Sequence, residues 1–216
     1  MIETDILVVG GGPAGATVAR YLARSDIDAM LIQRSFGFKK PCGGGIRLDA
    51  FETFDIDRSL IKKMVTSIAL VHRSKRIEVD IADTPIAIVD RLEFDAALRA
   101  GAEEEGATLR EATLVNVEQS GDHVISTIRE DAKHYRIKSN YLVAADGVNS
   151  KIRKIINGDR VSSHLTHYAD ISSVSYDDCE FHFGRAIAGR RYAWAFPHSG
   201  GANIGTLAGE GRAEME

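Results

Sequence analysis

Three features of this chain have residue types and spacing that could do chemistry: glycines spaced as Gly10-x-Gly12-x-x-Gly15, a cysteine set in Pro41-Cys-Gly-Gly-Gly45, and the pair Asp146-Gly147. The glycine triplet is the strongest of them. An apolar strand (Ile6 to Val9) leads into it and a helix with a small-residue face follows (Ala14, Val18, Ala19, Leu22). A second short apolar strand then runs from Ala29 to Ile32. That is the βαβ context of the dinucleotide fingerprint. Gly10 allows the tight turn, Gly12 lets a pyrophosphate approach the backbone, and Gly15 lets helix and strand pack closely. The helix N-terminus presents unpaired N–H groups and a partial positive charge to phosphates.

One residue departs from the pattern. The end of the second strand normally offers Asp or Glu to the ribose hydroxyls, about 20 residues past the glycines. Here that position is Gln33, whose neutral amide accepts a hydrogen bond without the strength of a charged acceptor. Arg34 beside it has two readings, a partner for a phosphorylated ribose or a solvated side chain after a strand.

The 216 residues suffice for one large or two small domains. With 27 basic and 31 acidic residues the formal charge is −4, which gives no reason to expect a nucleic-acid partner. Cys42 and Cys179 make neither a disulfide framework nor a metal site, so the chain reads as cytosolic and reduced. The histidines show no metal-ligand spacing, and no metal is expected; His198, before Ser199-Gly-Gly, reads as the end of a strand. No apolar run approaches the roughly 20 residues of a membrane span, and the N-terminus reads as a strand rather than a signal peptide. Peripheral contact with a membrane surface is left open.

The positioning elements alternate in texture. After the breaker-rich loop 36–45 comes a helix near Leu48 to Phe54, then a β-like stretch from Ser67 to Ile88. Asp90 reads as the N-cap of a helix, with Glu93 three residues on. Strands are expected near Ala112 to Glu118, His123 to Arg129, His134 to Lys138 and Tyr141 to Ala145, and a basic helix after Ser150. From His164 the pattern is β-like again. The expected fold is α/β: a discontinuous Rossmann-like domain (1–64 and 88–160) and a β-rich second domain (65–87 and 161–216). The alternative is a single α/β domain with long hairpins.

Four further segments fall in order: Lys40-Pro-Cys-Gly-Gly-Gly45, Asp90-Arg91-x-x-Phe94-Asp95, Ala145-Asp-Gly-Val-Asn-Ser150-x-x-Arg153 and Tyr192-Ala-Trp-Ala-Phe-Pro197. Together they resemble the geranylgeranyl reductase family, FAD-dependent enzymes of the wider p-hydroxybenzoate hydroxylase-like superfamily. The resemblance covers nearly the whole chain. It implies that Gly10, Gly12, Pro13, Ala14 and Gly15 hold the FAD pyrophosphate, and that Gln33, where the family usually has Glu, faces the adenosine ribose beside Arg34. Arg91 looks like the family arginine that reaches the cofactor. Asp146 and Gly147 match the motif near the flavin's phosphate and ribityl portion; read without the family, Asp146 is equally a cap for the Ser150 helix. Cys42, with Gly43 and Gly44, would sit near the isoalloxazine ring, either as a proton donor or as a small apolar filler.

Tyr192, Trp194 and Phe196 alternate and on a strand share one face, which with Pro197 would make a wall for a long apolar substrate. The alternative is an aromatic core strand. The resemblance thus implies an FAD-dependent reductase of isoprenoid carbon–carbon double bonds, with NAD(P)H or a ferredoxin-like protein as candidate electron donors. An aromatic hydroxylase or halogenase is the second reading. The third is a non-catalytic fragment or one half of a two-chain flavoprotein. The family continues past Tyr-x-Trp-x-Phe-Pro to a further Gly-Asp motif, whereas here Gly158-Asp159 comes too early and the sequence stops after the polar run from Gly209 to Glu216. A C-terminally incomplete chain is the expectation.

Overall fold

The computed structural model describes residues 1–158 and 163–207. Asp159 and the run from Gly209 to Glu216 therefore lie outside the described residues. In chain order the elements open with β1 (Ile2–Val9), α1 (Pro13–Arg24), β2 (Ala29–Gln33), β3 (Gly45–Arg47) and α2 (Asp49–Thr53). Then come β4 (Ile61–Val65), β5 (Ser67–His72), β6 (Lys75–Asp80), β7 (Ile86–Val89) and α3 (Arg91–Glu104). β8 (Thr108–Glu111), β9 (Thr113–Ser120), β10 (His123–Glu130), β11 (Lys133–Ala144) and α4 (Lys151–Asn157) follow. The last are β12 (Thr166–Ser172), β13 (Cys179–Phe183), α5 (Arg185–Ala188), β14 (Tyr192–His198) and β15 (Gly201–Leu207).

The fold is mixed α/β and divides into two compact units, 1–38 with 95–162 and 39–94 with 163–216. Residues 39–64 and 88–94 thus group with the second unit, where the sequence expectation put them in the first. β3, β7 and β4 form a three-stranded antiparallel sheet, and β7 and β4 pack against β14 of the second unit.

The first unit is a six-stranded sheet in the order β8-β2-β1-β11-β10-β9. β8, β2, β1 and β11 run parallel, and β10 and β9 add antiparallel to one side. The two strands expected around residues 134–145 are one, because β11 pairs with β10 along its first half and with β1 from Ile137 to Ala144. Lys-Ser-Asn between its apolar parts reads as a break in sequence, but Ser139 sits in the ladder opposite both Thr4 and Val124. The core beneath the sheet gathers Leu7, Val9, Met30, Ile32, Ile128 and Ile137.

The second unit carries the sheet β12-β15-β14-β13-β5-β6, antiparallel except where β13 runs parallel to β5. Its core includes Val65, Ile88 and Cys179, and burial pushes the Cys179 thiol up to about 12. Side-chain caps set two helix starts, the one at Asp90 foreseen in sequence. Asp90 Oδ1 accepts the Leu92 N–H at 2.8 Å and the Glu93 N–H at 3.2 Å, and Ser150 Oγ accepts the Arg153 N–H at 3.0 Å. No helix of the described residues is long and apolar enough to cross a membrane.

Ile137 is fully buried at the centre of the first sheet. Ile137→Ala is expected to lower stability by about 2–5 kcal/mol, read as a lower urea midpoint at unchanged slope.

Candidate functional site

In the first unit the chain leaves β1 at Gly10, where φ is +107°. A Cβ there would lie 2.3 Å from the carbonyl oxygen of Ala145, so only glycine lets β1 and the end of β11 approach this closely. A Cβ on Gly15 would lie 1.8 Å from the Gly10 oxygen, which seats α1 directly on the turn. Gly12 differs from both. It caps α1 in extended conformation, and a Cβ there would meet nothing within 4 Å. No side chain caps this helix end, and Pro13 begins the first turn. The uncapped N–H groups of that turn and the helix dipole favour an anion in the open space at Gly12. Ala14 is exposed beside them.

Gln33 is placed at this loop, but its amide is engaged within the protein. Oε1 accepts the Gly11 N–H at 2.8 Å and Nε2 donates to the Ser35 oxygen at 3.2 Å. A ribose hydroxyl would have to share the second lone pair of Oε1. Arg34 is exposed, with its guanidinium 6.0 Å from the Phe38 ring centre.

Arg99 is a residue that the sequence reading missed. It is buried, donating to the carbonyl oxygens of Gly11 and Phe36 at 3.0 Å each and lying 5.2 Å over the Phe36 ring. Burial pulls its guanidinium below the usual range, with Asp95 and Glu111 acting in the opposite sense. Gln33 and Arg99 therefore grip the amide and carbonyl of the same glycine. Nothing in its helical neighbourhood marks Arg99 from sequence, since its partners are backbone carbonyls 63 and 88 residues away.

Asp146 fulfils its capping reading with one oxygen, and the other is unpaired. Oδ2 accepts the N–H groups of Lys151 at 2.7 Å and Ile152 at 3.3 Å, while Oδ1 is buried with no partner among the described residues. Such an orphan acceptor costs about 1–3 kcal/mol until a donor reaches it. Asp146, Gly147, Ala14 and Arg153 line one cleft of about 480 Å³, and Arg153 Nε is a buried donor likewise without a partner. Open space at the helix end, an orphan acceptor and an orphan donor fit the phosphates and hydroxyls of FAD. Gly10, Gly12, Pro13, Ala14 and Gly15 would hold the pyrophosphate, with Asp146 and Gly147 beside the sugar-like chain.

In the second unit the Pro41-Cys-Gly-Gly-Gly45 loop is clamped from two sides. A Cβ on Gly43 would lie 2.5 Å from the Phe196 ring, and one on Gly44 (φ +78°) would lie 2.3 Å from the Val89 oxygen. Cys42 is exposed at the top of this loop, and its Sγ receives the Gly44 N–H at 3.4 Å. Cys42, Gly43, Lys39, Asp90, Arg91 and His198 line one pocket of about 290 Å³. The Asp90 hydrogen bond lifts Lys39 above its ordinary value. Asp90 itself is raised by burial, but Lys39 and the Leu92 and Glu93 amides outweigh that and hold it low.

The aromatic strand divides. Phe196 is half-buried on the glycine loop and meets Phe181 edge-on at 5.4 Å, and Tyr192 is exposed against the same Phe181 at 5.6 Å. Trp194 is buried, with its indole N–H on Asn203 Oδ1 at 2.8 Å, and Pro197 is fully buried. Both therefore serve the interior of this unit. Among the described residues no cluster could hold a metal ion.

Gly12→Val is expected to leave the fold intact and remove FAD, because its side chain enters open space at an extended backbone position. Gly15→Ala is expected to prevent folding. Circular dichroism with the flavin absorbance band checks both. Gln33→Met, which frees the Gly11 amide, should weaken FAD binding about tenfold in a fluorescence titration.

Known proteins are similar to this chain in sequence and in fold. Geranylgeranyl diphosphate reductase of Rhodobacter capsulatus is 29% identical over 213 residues, which cover 94% of this chain and 54% of the relative. Digeranylgeranylglycerophospholipid reductase of Thermoplasma acidophilum is 28% identical over 220 residues, 93% of this chain and 55% of the relative. The chain thus spans about half the length of the curated relatives it matches. A solved geranylgeranyl bacteriochlorophyll reductase-like protein of Thermoplasma acidophilum superposes with a TM-score of 0.86 at 26% identity, covering 100% of this chain and 60% of that one. A myxobacterial chondrochloren halogenase shares the fold at 16% identity, with a TM-score of 0.82, over 99% of this chain and 55% of its own. The model of the FAD binding domain family matches residues 3–215, and with a glycine cradle and an orphan carboxylate that suit that cofactor, the chain belongs to this family.

Proposed function

We propose that this chain is the FAD-binding part of a reductase acting on carbon–carbon double bonds of an isoprenoid substrate. One observation carries the reading. Two segments that set the reductase resemblance apart, Cys42-Gly-Gly-Gly45 and Tyr192-x-Trp-x-Phe-Pro197, lie about 150 residues apart in sequence and pack on each other through Gly43 and Phe196. A thiol carried on a loop that rests against an aromatic ring suits an alkene, which offers no polar handle. The names of the relatives support the substrate class.

FAD when bound supplies the hydride. The chain's own residues do the rest. Gly12 and the first turn of α1 bind phosphate, Gln33 and Arg99 fix the loop, and Asp146 Oδ1 receives a hydroxyl. Phe196 and Tyr192 offer apolar area, at about 0.8 kcal/mol per buried CH₂. Cys42 holds the proton at Sγ that the second carbon of the alkene needs. The reading further places the protein in the cytoplasm with peripheral membrane contact, since its substrate is lipid-like, and takes electrons from NAD(P)H or a ferredoxin-like donor.

The test is single turnover of the dithionite-reduced, FAD-loaded protein with a geranylgeranyl compound. Product carrying two added hydrogens per double bond is expected. Accumulation of a flavin–oxygen adduct on mixing with oxygen would favour the hydroxylase reading instead. Cys42→Ala should keep its FAD and fold and lose roughly 10²-fold or more in rate.

A further inference from the structure

His198 ends β14 with a hydrogen bond that fixes its tautomer. Its Nδ1 accepts the backbone N–H of Gly200 at 3.2 Å. An imidazole nitrogen that accepts carries no proton, so the neutral ring bears its hydrogen on Nε2. That Nε2 is buried and has no hydrogen-bond partner among the described residues. A buried donor without an acceptor is costly, and here it belongs to a side chain lining the same pocket as Cys42 and Gly43.

The charges of that pocket balance. Lys39, Lys62 and Arg91 stand along its wall with Asp90, Glu93 and Asp170. Lys39 lies 2.8 Å from Asp90 and 3.6 Å from Asp170, and Lys62 lies 2.5 Å from Glu93. A diphosphate arriving there meets as many carboxylates as cations. An uncharged oxygen needs only a donor. Asn203, also in the wall, has Oδ1 taken by Trp194 and one Nδ2 hydrogen by Asp170, and His198 adds an uncharged donor to the second Nδ2 hydrogen and the Ser199 hydroxyl.

We propose that His198 is a specificity-determining residue whose Nε2–H donates to the uncharged oxygen of a prenyl alcohol, ester or ether seated in the Cys42 pocket. This rests on the isoprenoid reading above. Binding is therefore measured on the oxidised, FAD-loaded protein without reductant, so that failure of the reduction chemistry leaves the result untouched.

The probes are geranylgeraniol, its diphosphate and the parent hydrocarbon of equal length. Geranylgeraniol should bind about tenfold more tightly than the hydrocarbon, with no gain for the diphosphate. His198→Leu should erase that advantage and leave hydrocarbon affinity unchanged, and His198→Gln, which keeps a terminal N–H donor, should restore part of it. In ¹⁵N spectra of the labelled protein the His198 Nε2–H signal should move on adding the alcohol. Equal affinity for alcohol and hydrocarbon, or an advantage that survives in His198→Leu, would overturn the assignment. So would a proton found on Nδ1, or an Nε2–H signal indifferent to the alcohol.

Discussion

The structure of the first unit depends on a contact between backbones. β1, α1 and the end of β11 meet where the Gly10 and Gly15 Cα atoms stand so close to carbonyl oxygens that a methyl group at either would overlap one. Because the three elements converge there, the amides at the start of α1 and the carboxylate of Asp146 come from segments far apart in sequence yet flank one space. That space lies at the carboxyl ends of adjacent parallel strands, where open α/β sheets bind ligands. Gln33 and Arg99 work on the same spot from outside, holding Gly11 by its amide and its carbonyl so that the turn is rigid before any ligand arrives.

The second unit solves a similar problem with a side chain in place of a backbone. The glycines at 43 and 45 lie against the flat ring of Phe196, and Gly44 slots under the Val89 carbonyl. The loop cannot shift without unseating an aromatic ring that is itself wedged against Phe181. An exposed thiol at Cys42 is thereby carried on a stiff support, in contrast to Cys179, whose burial makes it inert.

Much of this was legible in the sequence because it is local. The glycine spacing, the Asp90 cap and the alternation along 192–197 each act within one element, and each appears in the structure where its pattern lies. What the sequence hid is non-local. The polar step within β11 looked like a strand break, but its groups are paired by strands on both sides. Gln33 accepts the Gly11 N–H, an approach that nothing in a linear pattern records. Arg99 left no trace at all, and Trp194 shared an alternating pattern with Phe196 while its indole turned to Asn203.

The interleaving of the two units has a consequence for how the chain is made. On the ribosome β5 and β6 emerge early, but β13, the partner of β5, is synthesised only after all six strands of the first sheet exist. The nucleotide-binding sheet can therefore close first, once β11 has reached β1. Meanwhile β5 waits with one edge of its backbone unpaired until Glu180 can come opposite Ala69. Long-range pairing of this kind is slow, and an open strand edge is a template for pairing with a neighbouring chain. The second unit is thus the one whose unpaired edge stays open longest during synthesis.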